Sequence, residues 1–244
     1  PNTPEPSSMD SPSGRPLQKE TLGGVLRAVF TNNPLLVLTA AHTCTGFGSG
    51  MWFMLLFIFV DAYLDLGPQF ALVFVISFSL KIVSLKLWLA LANCLGKQTT
   101  WIAGMVLVII GMIGTGLLSP ENTGWLELLL CVTLVYCGFA AFSIMVPSLL
   151  SDIIDYGTWK FGTDRAATYF SLYTFINKSV AALGGALALA VAGWVGFDPT
   201  ETSHSDASVV GLRFGMAWIP TLFIVLSIAF IACIPITARR HAII

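Results

Sequence analysis

The sequence predicts an all-α membrane protein with six transmembrane helices. Of its 244 residues, 56% are hydrophobic and only 10% are charged, and the mean hydropathy is +0.83. Ordinary soluble domains carry far more charge. A spanning helix needs about 20 mostly apolar residues. Six segments reach that length, at about 35–60, 69–92, 100–118, 125–150, 166–196 and 209–236.

The N-terminal residues 1–33 predict a cytoplasmic linker followed by a short surface helix. Residues 1–20 are rich in Pro and Ser and hold too little apolar surface to offset the entropy of ordering. Residues 21–33 place several apolar side chains on one helical side. Residues 34–240 form the six-helix bundle, and 241–244 a cytoplasmic tail. Because the chain begins at Pro1 rather than Met, we expect a piece of a longer protein or a product of processing.

The distribution of charge predicts that both termini are cytoplasmic. Cytoplasmic loops next to spans are enriched in Lys and Arg. With the N-terminus inside, the inner side receives Arg15, Lys19, Arg27, Lys97, Lys160, Arg165, Arg239 and Arg240. The opposite loops then hold mostly acids: Asp61, Asp65, Glu121, Asp198, Glu201 and Asp206.

Lysines within the predicted spans are the first candidates for function. Lys81 and Lys86 lie in the second span and Lys178 in the fifth. A Lys at the centre of a span costs about 3 kcal/mol on insertion scales, so such residues usually face a cavity or a partner. Lys81 shares a helical face with serines, and Lys178 follows Thr174 by one turn. Small residues after Lys178 offer a surface that another helix can approach closely: Ala181, Ala182, Gly184, Gly185 and Ala186. Lys86 is better explained by snorkelling toward the inner surface.

No Asp or Glu occupies the centre of any predicted span. Lys81 and Lys178 therefore lack a deeply buried counter-charge within this sequence. Two explanations stay open: they face water or an anionic ligand, or their carboxylate partners belong to another domain that packs against this one.

The sequence contains none of the motifs that would indicate an enzyme. It has no Gly-rich phosphate loop, nucleophile elbow, zinc-binding His-Glu-x-x-His or paired intramembrane carboxylates. His42 lies in the first span beside threonines, where a packed or cavity-lining histidine is expected rather than a metal ligand or proton relay. We expect no catalytic residue, no bound metal and no nucleic-acid partner.

Several motifs in a fixed order resemble one family of membrane transporters. The run Pro147-Ser-Leu-Leu-Ser-Asp-Ile-Ile-Asp-Tyr156, the later Gly162-Thr-Asp-Arg165 and then Lys178 resemble the tenth helix, connection and eleventh helix of the glycoside, pentoside and hexuronide cation symporters. These form a branch of the major facilitator superfamily that includes the melibiose carrier. The segment ending Leu95-Gly-Lys97 is similar to the end of the eighth helix, and Gly211-Leu-Arg213 with Pro220 to the twelfth.

The resemblance implies that the chain is the C-terminal six-helix bundle of a carrier with twelve helices. Its partner would be the N-terminal six-helix half, which in the family holds most of the cation- and sugar-binding carboxylates. The function implied is cation-coupled symport of a sugar or glycoside by alternating access, with Na⁺, Li⁺ or H⁺ as the coupling ion and no other cofactor. The lysine matched by Lys178 couples ion and sugar binding in the family; Thr174 and Tyr173 are neighbouring cavity candidates, and Lys81 is a further one.

The charged run at the end of the fourth span matches a cytoplasmic gate region of the family. Asp152 and Asp155 lie three residues apart, so they share a helix face and can meet basic residues of the connection or of the other bundle. A solvated loop that only sets topology is the alternative, since exposed ion pairs contribute about 0–1 kcal/mol. The predicted gate residues are Asp152, Asp155, Tyr156, Lys160 and Arg165.

Two other functions stay open at this point. The wider superfamily contains lysophospholipid carriers, in which a similarly placed lysine meets a phosphate. A different class is a six-helix membrane scaffold or receptor domain that transports nothing. For the carrier, the resemblance implies a multi-pass protein of the lipid bilayer of a bacterial inner (plasma) membrane. The sequence does not determine the sugar, the ion, the direction of transport or the oligomeric state.

Overall fold

The computed structural model describes residues 30–161, 165–199 and 205–234. Within these ranges the chain is helical, and six helical segments are long and apolar enough to cross a membrane. This confirms the predicted all-α fold with six spans. The α-helices are α1 (Asn33–Ile58), α2 (Gly67–Leu95), α3 (Lys97–Leu117), α4 (Trp125–Phe161), α5 (Ala166–Trp194), α6 (Asp206–Arg213) and α7 (Ile219–Ala232).

Two spans contain a π-helical segment, which the sequence pattern did not indicate. Phe59–Tyr63 extends α1, and Phe214–Trp218 joins α6 to α7, so that α6 and α7 form one span. The fourth span also differs from the prediction, because α4 continues past residue 150 to Phe161. The predicted gate residues 152–160 are therefore helical. The predicted linker, the predicted surface helix (21–33) up to residue 29, and the C-terminal tail lie outside the described residues. Asn33, which the prediction placed in the surface helix, is instead the first residue of α1.

Local sequence signals account for where the helices begin and end. The side chain of Asn32 accepts a hydrogen bond from the backbone N–H of Leu35 (3.4 Å), and Pro34 occupies the first turn of α1, where its missing N–H costs nothing. Gly96 has φ +84°, a conformation that favours glycine, and it separates α2 from α3 by a single residue. Asn32 and Pro34 thus define the start of the first span, and Gly96 sets the tight turn between the second and third spans.

The helices pack in a defined order around a shared apolar core. α3 lies against α4, α2 also lies against α4, and α1 lies between α5 and α7. The contact between α4 and α5 is much smaller. The core contains large side chains that are fully buried, among them Trp52, Phe59, Trp101, Met105 and Leu128. The seam between α4 and α5 is thus much looser than the one between α3 and α4.

Small residues let α1 and α5 approach closely. A side-chain carbon added at Gly50 of α1 would overlap the backbone of Ala181, and one added at Gly184 of α5 would overlap the backbone of Phe47. This agrees with the small-residue surface that the sequence places after Lys178. Such surfaces favour helix association in lipid, where packing rather than the hydrophobic effect drives contact.

Candidate functional site

Lys178 lies on the exposed face of α5. Within the described residues it makes no hydrogen bond or ion pair. Thr174, one turn earlier, is also exposed, and its hydroxyl donates to the carbonyl of Phe170 in its own helix (2.9 Å). The structure therefore places a cationic and a hydroxyl group on one open surface, with the charge unpaired.

Tyr173 is half-buried and covers His42 of α1. The two ring centroids are 4.6 Å apart, and the imidazole also stacks on Phe142 of α4, with 5.3 Å between centroids and an interplanar angle of 7°. His42 is 2% exposed, and neither of its ring nitrogens has a hydrogen-bond partner. The sequence led us to expect a packed histidine. It did not indicate that both nitrogens would be unsatisfied, which only the three-helix geometry shows.

A small cavity adjoins His42 between α1, α4 and α5. Its volume is about 10 Å³, close to the minimum of about 10–15 Å³ that one buried water needs. The polar residues that line it are Thr39 and His42 of α1 and Tyr169 and Tyr173 of α5. The remaining wall is aliphatic, formed by Leu35, Leu38, Leu150, Leu172 and Ile176.

Lys81 is half-buried on α2 and is not brought beside Lys178. α2 packs on α4, whereas α5 packs on α1, so the two lysines lie on different seams of the bundle. The serine on the same face is turned into the protein: the hydroxyls of Ser77 and Thr133 lie 3.0 Å apart between α2 and α4. The polar side of α2 therefore serves helix packing at Ser77, and a cavity role for Lys81 stays a prediction.

The predicted gate residues occupy the last turns of α4 and the start of α5. Asp152 forms a salt bridge of 2.7 Å with Lys97, the first residue of α3. Lys97 is a partner that the sequence did not indicate, because 55 residues separate the two. Arg165 is the N-cap residue of α5. Lys160 belongs to α4, and its side chain is outside the part of the chain that the structure describes.

Asp155 lies at the open end of the seam between α4 and α5. It is exposed and lines a cavity of about 470 Å³ together with Ile154, Thr158, Trp159 and Ala166. In the described part of the chain Asp155 has no ion-pair partner. Tyr156 lies against Trp159, with 6.1 Å between ring centroids. Asp152 and Asp155 thus differ: one is bound within this bundle, and the other is available to a partner.

A second charged anchor lies at the opposite end of the bundle. Arg213, at the end of α6, donates to the hydroxyl of Tyr63 (2.7 Å) and to the backbone carbonyl of Leu118 (2.9 Å). Its guanidinium also lies 5.4 Å from the centroid of the Tyr63 ring. These contacts tie the first, third and last spans together.

The sequence matches a model of the family described as MFS/sugar transport protein over residues 5–238. It is 29% identical to a candidate sulfoquinovose importer of Escherichia coli (strain K12), over 76% of this chain and 39% of that protein. It is 26% identical to an uncharacterized symporter of Bacillus subtilis (strain 168), over 94% and 50%. It is 28% identical to an isoprimeverose transporter of Lactiplantibacillus pentosus, over 53% and 26%. The chain spans about half or less of the length of these relatives.

Proposed function

The chain belongs to the MFS/sugar transport protein family, and on that premise we propose that it is the C-terminal six-helix part of a cation-coupled carrier of a sugar or sugar derivative. The names of the relatives concern transport, which agrees with the expectation that the chain is not an enzyme. The observation in the structure that carries the proposal is Lys178, a cation on a membrane-spanning helix that has no partner among the described residues.

The unpaired charge on α5 calls for an anionic neighbour outside this bundle. Charged side chains inside a membrane are costly unless they face a partner or a water-filled cavity. An N-terminal six-helix half would supply carboxylates opposite Lys178, and Thr174 on the same face would meet a sugar hydroxyl. The chain covers 50% of its Bacillus subtilis relative, which leaves room for such a half.

Alternating access follows from this arrangement. A coupling cation, Na⁺, Li⁺ or H⁺, neutralises the carboxylates that Lys178 would otherwise pair with, and the sugar then bridges the two halves. The loaded carrier moves between inward- and outward-open states because its charges are balanced in both. In this mechanism Lys178 competes with the cation, and that competition couples ion binding to sugar movement.

An acidic sugar is a second candidate substrate, favoured by the same unpaired lysine. One relative is described as a candidate importer of sulfoquinovose and another as a glucuronide carrier homolog, both in Escherichia coli (strain K12). In that case Lys178 binds the sulfonate or carboxylate of the substrate directly. Charge-assisted hydrogen bonds to such groups are about twice as strong as neutral ones.

The test is uptake by the full-length protein in lipid vesicles. Neutral glycosides and sulfonated or uronate sugars are supplied separately, with Na⁺, Li⁺ or H⁺ gradients imposed one at a time. We expect Lys178→Ala to lower accumulation at least about tenfold, the effect of about 1.4 kcal/mol of lost binding. Lys86→Ala, which removes an exposed lysine of α2, is the matched control and should leave uptake within about twofold.

The outcome separates the two roles of Lys178. Loss of cation-dependent accumulation of a neutral sugar supports pairing with carboxylates of the other half. Loss confined to acidic sugars supports direct binding of the anionic group. Normal cation-driven accumulation of every transported sugar by the Lys178→Ala carrier would refute both roles.

We also propose a location and an orientation for this multi-pass membrane protein. It lies in a bacterial inner membrane with both termini in the cytoplasm, on the basis of the Lys and Arg distribution. Reporter fusions at residues 120 and 244 test this, since only the second should be active with a cytoplasmic reporter. The reverse pattern would invert the orientation without affecting the family.

A further inference from the structure

We propose that Phe53 of α1 is the platform on which the ring of the transported sugar stacks, an inference that rests on the proposed function. Within the described residues, the second half of α1 has one open side. Phe53 is 42% exposed on it, and Phe57, one turn later, is 50% exposed. The opposite side of the same turns is at most 2% exposed and consists of Met51, Trp52, Leu55 and Leu56. An aromatic ring is thus presented by a helix that is otherwise buried.

The open side of α1 lies between α4 and α5. On one flank the ring of Phe53 meets that of Tyr136 of α4, with 5.5 Å between centroids. On the other flank Met54 adjoins α5, because a side-chain carbon added at Gly185 would lie 3.4 Å from the Met54 side chain. α4 and α5 make little contact with each other, so in the described part of the chain they leave Phe53 uncovered. Phe53 therefore forms the floor of a cleft whose two walls are α4 and α5.

Neighbouring rings hold Phe53 in place. Trp52 and Tyr136 both meet it edge to face, at 5.0 Å with an interplanar angle of 78° and at 5.5 Å with an angle of 86°. Aromatic pairs favour this arrangement over a face-to-face sandwich. Trp52 and Tyr136 are themselves buried. The ring of Phe53 is therefore fixed before a ligand arrives, which lowers the entropic cost of binding.

Polar groups that suit a sugar lie on the α5 wall of the cleft. Lys178 precedes Gly185 by seven residues, or two helical turns, so both lie on the same side of α5. Since Gly185 adjoins Met54, Lys178 lies on the cleft side about 10 Å along the helix axis from the level of Met54 and Phe53. Thr174, one turn beyond Lys178, is exposed on that side as well.

A sugar needs both kinds of surface. The edge of a sugar ring carries hydroxyl groups, whereas its faces carry apolar C–H groups. Sites for small molecules combine apolar and aromatic walls with a few polar groups that fix orientation. With one face on Phe53, a sugar ring can direct a hydroxyl or an acidic substituent toward Lys178. The cleft thus offers a surface for each part of the substrate.

An exposed Phe on a membrane helix has two other uses, contact with lipid and contact with another helix bundle. Neither use depends on sugar. Both are also served by an aliphatic side chain of similar size, since apolar swaps that conserve volume are well tolerated. Dependence on sugar and on an aromatic ring therefore distinguishes the platform from these two uses.

The first test is the kinetics of sugar uptake by the full-length protein in lipid vesicles. Phe53→Leu removes the ring and keeps an apolar side chain, so we expect KM to rise about fivefold while the maximal rate stays within about twofold. Phe53→Tyr keeps the ring and should hold KM within about twofold of the wild-type value. Phe214→Leu is the matched control, because it removes a ring that is 50% exposed in the last span, and it should leave KM unchanged.

The second test locates the sugar directly. The thiol introduced by Phe53→Cys is treated with a water-soluble maleimide, with and without a transported sugar at about ten times its Kd. Mass spectrometry of the labelled peptide separates this thiol from the native cysteines. We expect the sugar to slow labelling at position 53 about tenfold, because only the unoccupied fraction of the protein reacts. The thiol introduced by Phe214→Cys should show no dependence on sugar.

The outcomes decide between the three uses of Phe53. A higher KM in Phe53→Leu but not in Phe53→Tyr, together with protection by sugar, supports the platform. A wild-type KM in Phe53→Leu, or labelling at position 53 that sugar leaves unchanged, would overturn it in favour of contact with lipid or with another bundle. If Phe53→Leu does not fold, the labelling result decides alone. Absence of uptake of every sugar by the wild-type protein would instead refute the proposed function, and the platform with it.

Discussion

The centre of the bundle and the outer side of α5 differ in how deeply their side chains are buried. In the first span, 56% of the most apolar 18-residue window is buried, against 28% in α5 and 11% in α2. The buried hydroxyls of Thr45, Thr115 and Ser227 are all hydrogen-bonded. Lys178 on α5 is exposed and unpaired within the described residues. The centre therefore acts as a scaffold, and the open side presents groups to something else.

The largest effect that would sharpen this contrast is expected from Trp52→Ala in α1. Trp52 is 0% exposed, and its indole N–H donates to Thr115 of α3 (3.2 Å). Its removal leaves a cavity and deprives the Thr115 hydroxyl of one of its two hydrogen bonds, the other being its donation to the Met112 carbonyl (2.8 Å). We therefore expect a loss of about 3 kcal/mol or more in the free energy of unfolding. Unfolding of the purified full-length protein by SDS titration in mixed micelles measures it.

The matched control is Phe175→Ala on the open side of α5. Phe175 is 68% exposed, so its removal creates little cavity. We expect a change of less than about 0.5 kcal/mol. Equal losses in the two variants would remove the distinction between scaffold and open side, and would indicate that another part of the protein covers Phe175 tightly.

A smaller effect is expected from Ser227→Ala, which removes a hydrogen bond between the first and last spans. The Ser227 hydroxyl donates to the backbone carbonyl of Ala41 (2.9 Å) and lies 2.7 Å from the Thr45 hydroxyl. Hydrogen bonds between membrane helices contribute about 0.6 kcal/mol on average and up to about 1.7. We expect a loss of unfolding free energy in that range by the same titration.

Ser79→Ala is the control for that bond. Ser79 is exposed, and its hydroxyl donates to the carbonyl of Val75 in its own helix (2.8 Å), so no contact between helices is lost. Stability should change by no more than a few tenths of a kcal/mol. A loss as large as that of Ser227→Ala would show that burial between spans does not set the strength of these bonds.

The features that the sequence predicted well depend on length, apolarity and local signals. Six spans follow from six long apolar segments, and the break at Gly96 follows from one residue with positive φ. The close approach of α1 and α5 follows in part from small residues after Lys178, as at Gly184. Lys178 stands out in sequence because a charge in a span is rare and costly.

The features that the sequence did not predict depend on which helices become neighbours. The pairing of Lys97 with Asp152 joins residues of different helices, and no local pattern indicates it. The unsatisfied state of His42 depends on Phe142 and Tyr173 from two other helices. The extension of α4 beyond residue 150 was missed because its polar last turns resemble a loop in hydropathy, although they keep helical hydrogen bonding.

The smallest expected effect distinguishes the two carboxylates at the end of α4. Asp152 is paired with Lys97, whose side chain is 37% exposed, so the bridge should contribute about 0–1 kcal/mol to stability. We expect Asp152→Asn to lower the free energy of unfolding by an amount within that range. Adding Lys97→Gln to this variant should lower the free energy of unfolding little further. Asp155→Asn, which breaks no pair in the described residues, should leave stability unchanged.

If Asp155 instead latches the two halves of a carrier, its replacement shifts the protein toward the inward-open state, seen as altered thiol labelling from the two sides of the membrane. Unchanged labelling in Asp155→Asn, together with an unchanged stability in Asp152→Asn, would reduce both carboxylates to solvated charges that only set topology.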